Sequence, residues 1–175
     1  SHPLNALRLH NTLWRLSMAN RDTWWTQFLH EYYGNESQID RMVEWAWSND
    51  ATFSADDTTL LCAITLAWFL TSSNRRLRDH STKGLVFLLQ NRPSVLRELL
   101  TKFHGVNDPY VAERLYAVAY GCALITADKT AIAELAKLVY ALVFKDNKPP
   151  VHILLRDYAR GVIERSVAMG CLPSE

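Results

Sequence analysis

Glycine and proline are scarce here, six of each among 175 residues, while nearly half the chain is apolar. That balance excludes a disordered or collagen-like chain and predicts an ordered, largely helical protein able to bury its own core. Cysteine is scarce too. Cys62, Cys122 and Cys171 are dispersed through apolar stretches and form no Cys-x-x-Cys pair. An odd, scattered set excludes a disulfide framework and predicts buried free thiols in a reducing, cytoplasmic setting. No apolar run approaches the ~20 residues that a membrane-spanning helix needs. The longest, 60–70, lies between Asp56-Asp57 and Ser72-Ser73 and is expected to be a core helix. The chain opens on Ser1-His2, not Met, and lacks a leader-like start. That opening resembles the remnant of a cleaved tag, so a segment of a longer protein is expected.

The motifs of common chemistry are missing as well. Neither Gly-x-x-x-x-Gly-Lys-Ser/Thr nor Gly-x-Gly-x-x-Gly occurs, which removes the usual phosphate cradles. There is no His-Glu-x-x-His and no Gly-x-Ser-x-Gly, and the six histidines are dispersed. The glutamates Glu31, Glu44, Glu98, Glu113 and Glu164 form no acid–base pair that spacing can justify. No enzyme activity, cofactor or metal is therefore expected. The net charge of +1 supplies no global field for nucleic acid or an anionic membrane. Charge is nevertheless uneven. Residues 1–60 hold four basic and eight acidic side chains, residues 61–105 seven and two, and residues 106–175 eight of each.

What is present is helical periodicity. Leu4, Leu7, His10, Trp14 and Met18 predict a first amphipathic helix over 4–19. Asn20 or Asp22 can cap a second over 23–33, which Gly34 ends. Ser37 with Asp40 approximates a capping box before a third helix, whose inner stripe is Ile39, Met42, Val43 and Ala46. Asp56 opens a helix that is apolar on every side and so should be central. Further helices are expected over 74–91, 93–104, 108–126, 128–145 and 151–169. Their signals are Asn74, Pro93, Asp108-Pro109, Asp128 and the break at Pro149-Pro150. No segment alternates with period two, so the chain is predicted to be all α.

The expected organisation is one domain of about nine helices, a right-handed α-solenoid-like stack of HEAT/ARM-like hairpins. Residues 1–50 form Trp-rich N-terminal helices. Hairpins pair 56–72 with 74–91, 93–104 with 108–126, and 128–145 with 151–169. Asp79, Asp108 and Asp157 near the starts of the second helices lie roughly 40 residues apart on average, close to the ~40–47-residue HEAT and armadillo period. Asp79 with Lys83, Asp108 with Arg114, and Asp157 with Arg160 each place an acid near a base, and such pairs could form a polar ladder between repeats. The alternative is simple capping, worth ~0.5–2 kcal/mol each. Arg-Asp pairs recur at 21–22, 78–79 and 156–157. The first falls outside the hairpins and is expected only to cap a helix.

Two surfaces stand out. Arg75, Arg76 and Arg78 cluster at a helix start with Lys83 a turn beyond, and could hold an anion or nucleic-acid phosphates. The acidic N-terminal third could instead neutralise them. All six tryptophans lie within the first 68 residues. Trp24 and Trp25 are adjacent and Trp45 and Trp47 two apart, so these four cannot share one helical stripe. Some should face a docking partner, unless the N-terminal helices wrap the stack and bury them.

The run Leu70-Thr71-Ser72-Ser73-Asn74-Arg75-Arg76-Leu77-Arg78-Asp79, then Thr82-Lys83-Gly84-Leu85, Asn107-Asp108-Pro109-Tyr110-Val111, Glu113-Arg114-Leu115 and Ala119-Tyr120-Gly121, resembles the helical-repeat region of large bacterial STAND-type NTPases. Some of those proteins act in antiphage defence. The resemblance spans about a third of the chain. It implies a sensor or scaffold segment whose NTPase module lies elsewhere in the parent protein. Two functional expectations result. The first is a non-enzymatic scaffold binding a protein partner or other domains of its parent, with no membrane contact. The second is a nucleic-acid-binding helical protein, conceivably base-processing, using the arginine cluster.

Overall fold

The computed structural model describes residues 5–171, with Asn49 and Thr52 described by backbone alone. Ser1, His2 and Leu4 lie outside the described residues. The described residues are helical, with no strand among them. The helices are α1 (Ala6–Trp14), α2 (Met18–Arg21), α3 (Gln27–Tyr32), α4 (Gln38–Ala46), α5 (Asp56–Phe69), α6 (Arg75–Leu89), α7 (Pro93–Phe103), α8 (Pro109–Ile125), α9 (Lys129–Val143) and α10 (Ile153–Ala168). A π-helical turn, Asp22–Thr26, joins α2 to α3 without interruption. Counted as one rod, α2 and α3 bring the total to nine helices among the described residues.

Polar residues set most of the starts. Asn74, Asp108 and Asp128 each accept two backbone N–H bonds at the first turns of α6, α8 and α9. Ser37 and Asp40 complete a reciprocal capping box at α4. Pro93 and Pro109 occupy the first helical positions, where no donor is missed. Some expected boundaries shift. The first helix stops at Trp14, and Ser17 caps a new one at Asn20 N. Arg21-Asp22 therefore lies inside a helical rod and does not cap it. Asp56 is the first residue of α5 after the N-cap Ala55, and makes no capping bond. His152 caps α10 through Nδ1, accepting from Leu155 N at 3.4 Å. A 3-10 turn, Asn49–Phe53, fills a stretch with no periodic signal.

The helices touch in two series. α1, α5, α7 and α9 contact one another in that order, and so do α4, α6, α8 and α10. Cross-contacts join α4 and α6 to α5, α7 to α8, and α9 to α10. Apolar α5 lies among α1, α4, α6, α7 and α8, with Ala63, Ile64, Leu66, Ala67 and Trp68 fully buried. Helices in the second series approach closely at glycines. A β-carbon on Gly121 of α8 would sit 2.9 Å from Val86 Cγ2 of α6, and one on Gly161 of α10 would sit 2.7 Å from Tyr120 Cε2 of α8. Those separations explain a residue otherwise unfavourable in helix interiors by about 1 kcal/mol. Of the thiols, Cys122 is buried while Cys62 and Cys171 are half-buried, so the expectation of three buried cysteines is corrected.

Candidate functional site

Where α1 ends, its last carbonyls need donors. Arg21 provides them from the following rod. Its Nη1 donates to Leu16 O at 3.0 Å and Leu13 O at 3.4 Å, and also to Asn107 Oδ1. Nη2 donates to Asp108 Oδ2 at 3.3 Å and Asn107 O at 3.5 Å. The guanidinium lies 5.4 Å from the ring centre of Trp68 and is wholly buried. Asn107 Nδ2 adds a bond to Leu16 O at 3.0 Å. Trp68 is a second hub: its carbonyl accepts from Trp25 Nε1, and its own Nε1–H donates to His10 Nδ1, each at 3.2 Å. Burial among these rings, assisted by the Lys102 charge, lowers the His10 pKa below 6.5.

The proposed ladder residues pair differently from their expected order. Asp79 of α6 accepts from Arg114 of α8 at 3.0 Å and from Arg75 at 3.4 Å. Burial alone would raise the Asp79 pKa, but the two arginines outweigh it and leave the carboxyl below its usual 3.8. Asp108 meets Arg21, not Arg114, since its Oδ1 already caps α8 and Oδ2 faces the rod. Lys83 is exposed and makes no ion pair with Asp79, whose oxygens the arginines occupy. Asp157 pairs with Arg160 at 3.5 Å on the exposed surface of α10. Glu113, which spacing had left without a partner, is buried and lies 3.3 Å from His152 Nε2 of α10. A readable signal existed. The fifth residue after the N-caps Asn74, Asp108 and His152 is Asp79, Glu113 and Asp157 respectively, an acid each time.

The basic cluster does not converge on one point. Arg75 pairs with Asp79. Arg78 donates to Ser72 O at 2.5 Å and lies 5.8 Å from the Tyr110 ring centre, half-buried. Arg76 and Lys83 are exposed and make no ion pair among the described residues. Elsewhere in the basic middle, Arg97 meets Glu134 at 2.7 Å, Lys102 meets Glu98 at 3.4 Å, and Arg92 meets Asp56 at 3.5 Å.

The tryptophans divide between interior and surface. Trp25 is buried, Trp45 is half-buried, and Trp24 and Trp47 are exposed. Trp47 donates Nε1–H to His80 O at 3.3 Å. On the rod, Trp24, Phe28 and Tyr32 follow one another at intervals of four and stay 46%, 41% and 45% exposed. The Phe28 and Tyr32 ring centres are 4.8 Å apart, and Phe28 stacks on Trp25 at 5.9 Å. The interval of four that joins Phe28 and Tyr32 to Trp24 is legible in the sequence, whereas the exposure of their rings is not. The π turn follows the buried anchor Arg21 directly and itself carries Trp24, the first ring of the ridge, and such turns recur at functional sites.

A cavity of about 400 Å3 opens between α7, α8, α9 and α10, walled by Leu100, Phe103, Leu115, Tyr116, Leu142 and Leu155. Burial raises the Tyr116 pKa to about 12, so its hydroxyl stays protonated. No cluster of three or more metal-ligating side chains occurs among the described residues, and none of their helices is long and apolar enough to cross a membrane. Comparison with protein-family models, curated proteins and solved structures finds no match.

Proposed function

We propose that this chain is a non-enzymatic helical scaffold that docks a protein partner through its N-terminal rod. The observation that carries this reading is the line of exposed rings at Trp24, Phe28 and Tyr32 on a rod whose adjoining buried line is pinned by Arg21 and Trp25. Aromatic side chains contribute large contact area at little entropic cost, and water-facing rings in a contiguous line are characteristic of interaction surfaces. A HEAT-like, right-handed solenoid is the arrangement this reading favours, and the two contact series support its stacking, with α1 and α4 each packed on α5 ahead of the three expected hairpins. A sensor or packaging segment of a longer bacterial STAND-type NTPase, in a cytoplasmic setting, is the parent this reading favours. The partner is then another domain of that parent or a separate protein.

Nucleic-acid binding is the weaker reading because Arg75 and Arg78 are already engaged within the fold. The discriminating experiment is fluorescence anisotropy with single- and double-stranded 30-mers at low salt. The scaffold reading predicts no saturable binding. Salt-dependent binding that disappears in the Arg76→Glu, Lys83→Glu variant would overturn it.

A further inference from the structure

We infer that the cavity between α7, α8, α9 and α10 binds an uncharged, largely apolar small molecule whose carbonyl accepts a hydrogen bond from Tyr116. The inference is independent of the docking face, which lies on the N-terminal rod. The cavity volume of about 400 Å3 falls within the range of small-molecule pockets, and its walls are mostly aliphatic and aromatic. An apolar body of matching shape gains burial and dispersion contact against such walls. Five polar side chains also line the space: His104, Asn107, Asp108, Tyr116 and His152. Three of them are engaged within the fold. Asn107 Oδ1 accepts from Arg21, and its Nδ2 donates to Leu16 O. Asp108 divides its oxygens between the first turn of α8 and Arg21. His152 Nδ1 accepts from Leu155 N, and its Nε2 faces Glu113. His104 is exposed to water.

Tyr116 is the one that remains. It is 8% exposed, and its hydroxyl makes no hydrogen bond among the described residues. The oxygen is not sealed among packed atoms, unlike the unpartnered Ser81 Oγ. A hydroxyl in an apolar wall is costly without a partner, so a ligand that supplies one gains specificity as well as affinity. Burial keeps the Tyr116 proton in place, and a carbonyl is the group that complements such a donor. No lysine or arginine lines the cavity, and its one carboxylate, Asp108, is already paired with Arg21. A charged ligand would therefore lose its hydration without meeting a buried counter-charge.

The probe is prodan, a neutral naphthalene ketone whose emission shifts to the blue when it leaves water. Titration with the full chain should give saturable, blue-shifted emission. Acetylnaphthalene, ethylnaphthalene and naphthoate, substituted at the same ring position, then compete for the site. The ketone should bind about fivefold more tightly than the hydrocarbon and at least about tenfold more tightly than the carboxylate. Tyr116→Phe should erase the advantage of the ketone over the hydrocarbon while the hydrocarbon keeps its affinity. Ala112→Trp and Leu142→Trp fill the space from α8 and α9, and each should abolish binding with circular dichroism unchanged. The ridge variant Trp24→Ala, Phe28→Ala should bind as the parent chain does. Absence of saturable binding, or binding that survives in a folded filling variant, overturns the site. Loss of binding in the ridge variant puts the probe on the rod and overturns it too, leaving the docking face standing. Preference for naphthoate, or a ketone advantage that persists in Tyr116→Phe, overturns the assigned ligand chemistry. Tyr116→Phe removes a single oxygen atom, so it decides the matter even where the filling variants fail to fold.

Discussion

Arg21 shows how a single side chain can set the geometry of a surface some turns away. Its guanidinium binds carbonyls at the end of α1 and in the link that follows, pairs with Asp108 and covers Trp68, so the rod carrying the ridge cannot rotate without uncovering a buried charge. Truncation leaves Asp108 buried without its counter-ion, a change that costs about 3–5 kcal/mol. Arg21→Ala should therefore lose stability of that order in urea unfolding. Arg21→Lys should recover little, since one ammonium cannot reproduce a planar fork to so many acceptors. His10 makes a separate prediction. Its folded pKa lies below 6.5, so at slightly acid pH the unfolded chain takes up the proton first. The contribution is complete above pH 6.5 and is lost as pH falls from there toward the folded pKa. Urea midpoints measured at pH 7.5 and pH 5 should fall for the parent chain and fall less for His10→Phe. The depressed Asp79 carboxyl acts in a different window: its contribution is present above pH 3.8 and is lost in more acid solution.

At the scale of the helix, the contact surfaces of the second series are shaped by missing β-carbons. Gly161→Ala should gain up to about 1 kcal/mol of helix propensity. It should lose about 1–3 kcal/mol by driving a methyl group into the Tyr120 ring. A net drop in melting temperature is the expected outcome, and a rise would show that α8 and α10 can part at little cost. Most helix starts were legible because Asn, Asp, Ser and Pro act locally on the first turn. Trp14 to Thr26 was not legible. There the path is decided by Arg21 reaching Asn107 and Asp108, more than eighty residues away in the chain, and a local periodicity cannot register such a contact. For the same reason local spacing names Asp79 and Arg114 as separate ladder members but cannot register that one reaches the other across α6 and α8.

Over the whole molecule, charge is arranged to be spent internally. The basic middle reads in sequence as an anion-binding run, yet Arg75, Arg92, Arg97 and Lys102 each meet a carboxylate, and Arg78 a carbonyl. Composition could count those charges but not their distances. In the acidic N-terminal third Asp22, Glu31, Glu36 and Glu44 are exposed, so this part of the chain and the basic middle differ in what they offer a partner. The site was thus half visible beforehand, through the crowding of tryptophans. The interval of four that joins Trp24, Phe28 and Tyr32 became meaningful once Arg21 and Trp25 defined the buried side of the rod.

The docking face is tested most directly by placing a photoreactive benzoylphenylalanine at position 28 or, as a control, at exposed position 137 of α9, in cells that produce the protein. The account predicts a discrete protein adduct from position 28 alone, lost when Trp24 and Tyr32 are changed to alanine. Equal adducts from both positions, or none from position 28, would contradict it.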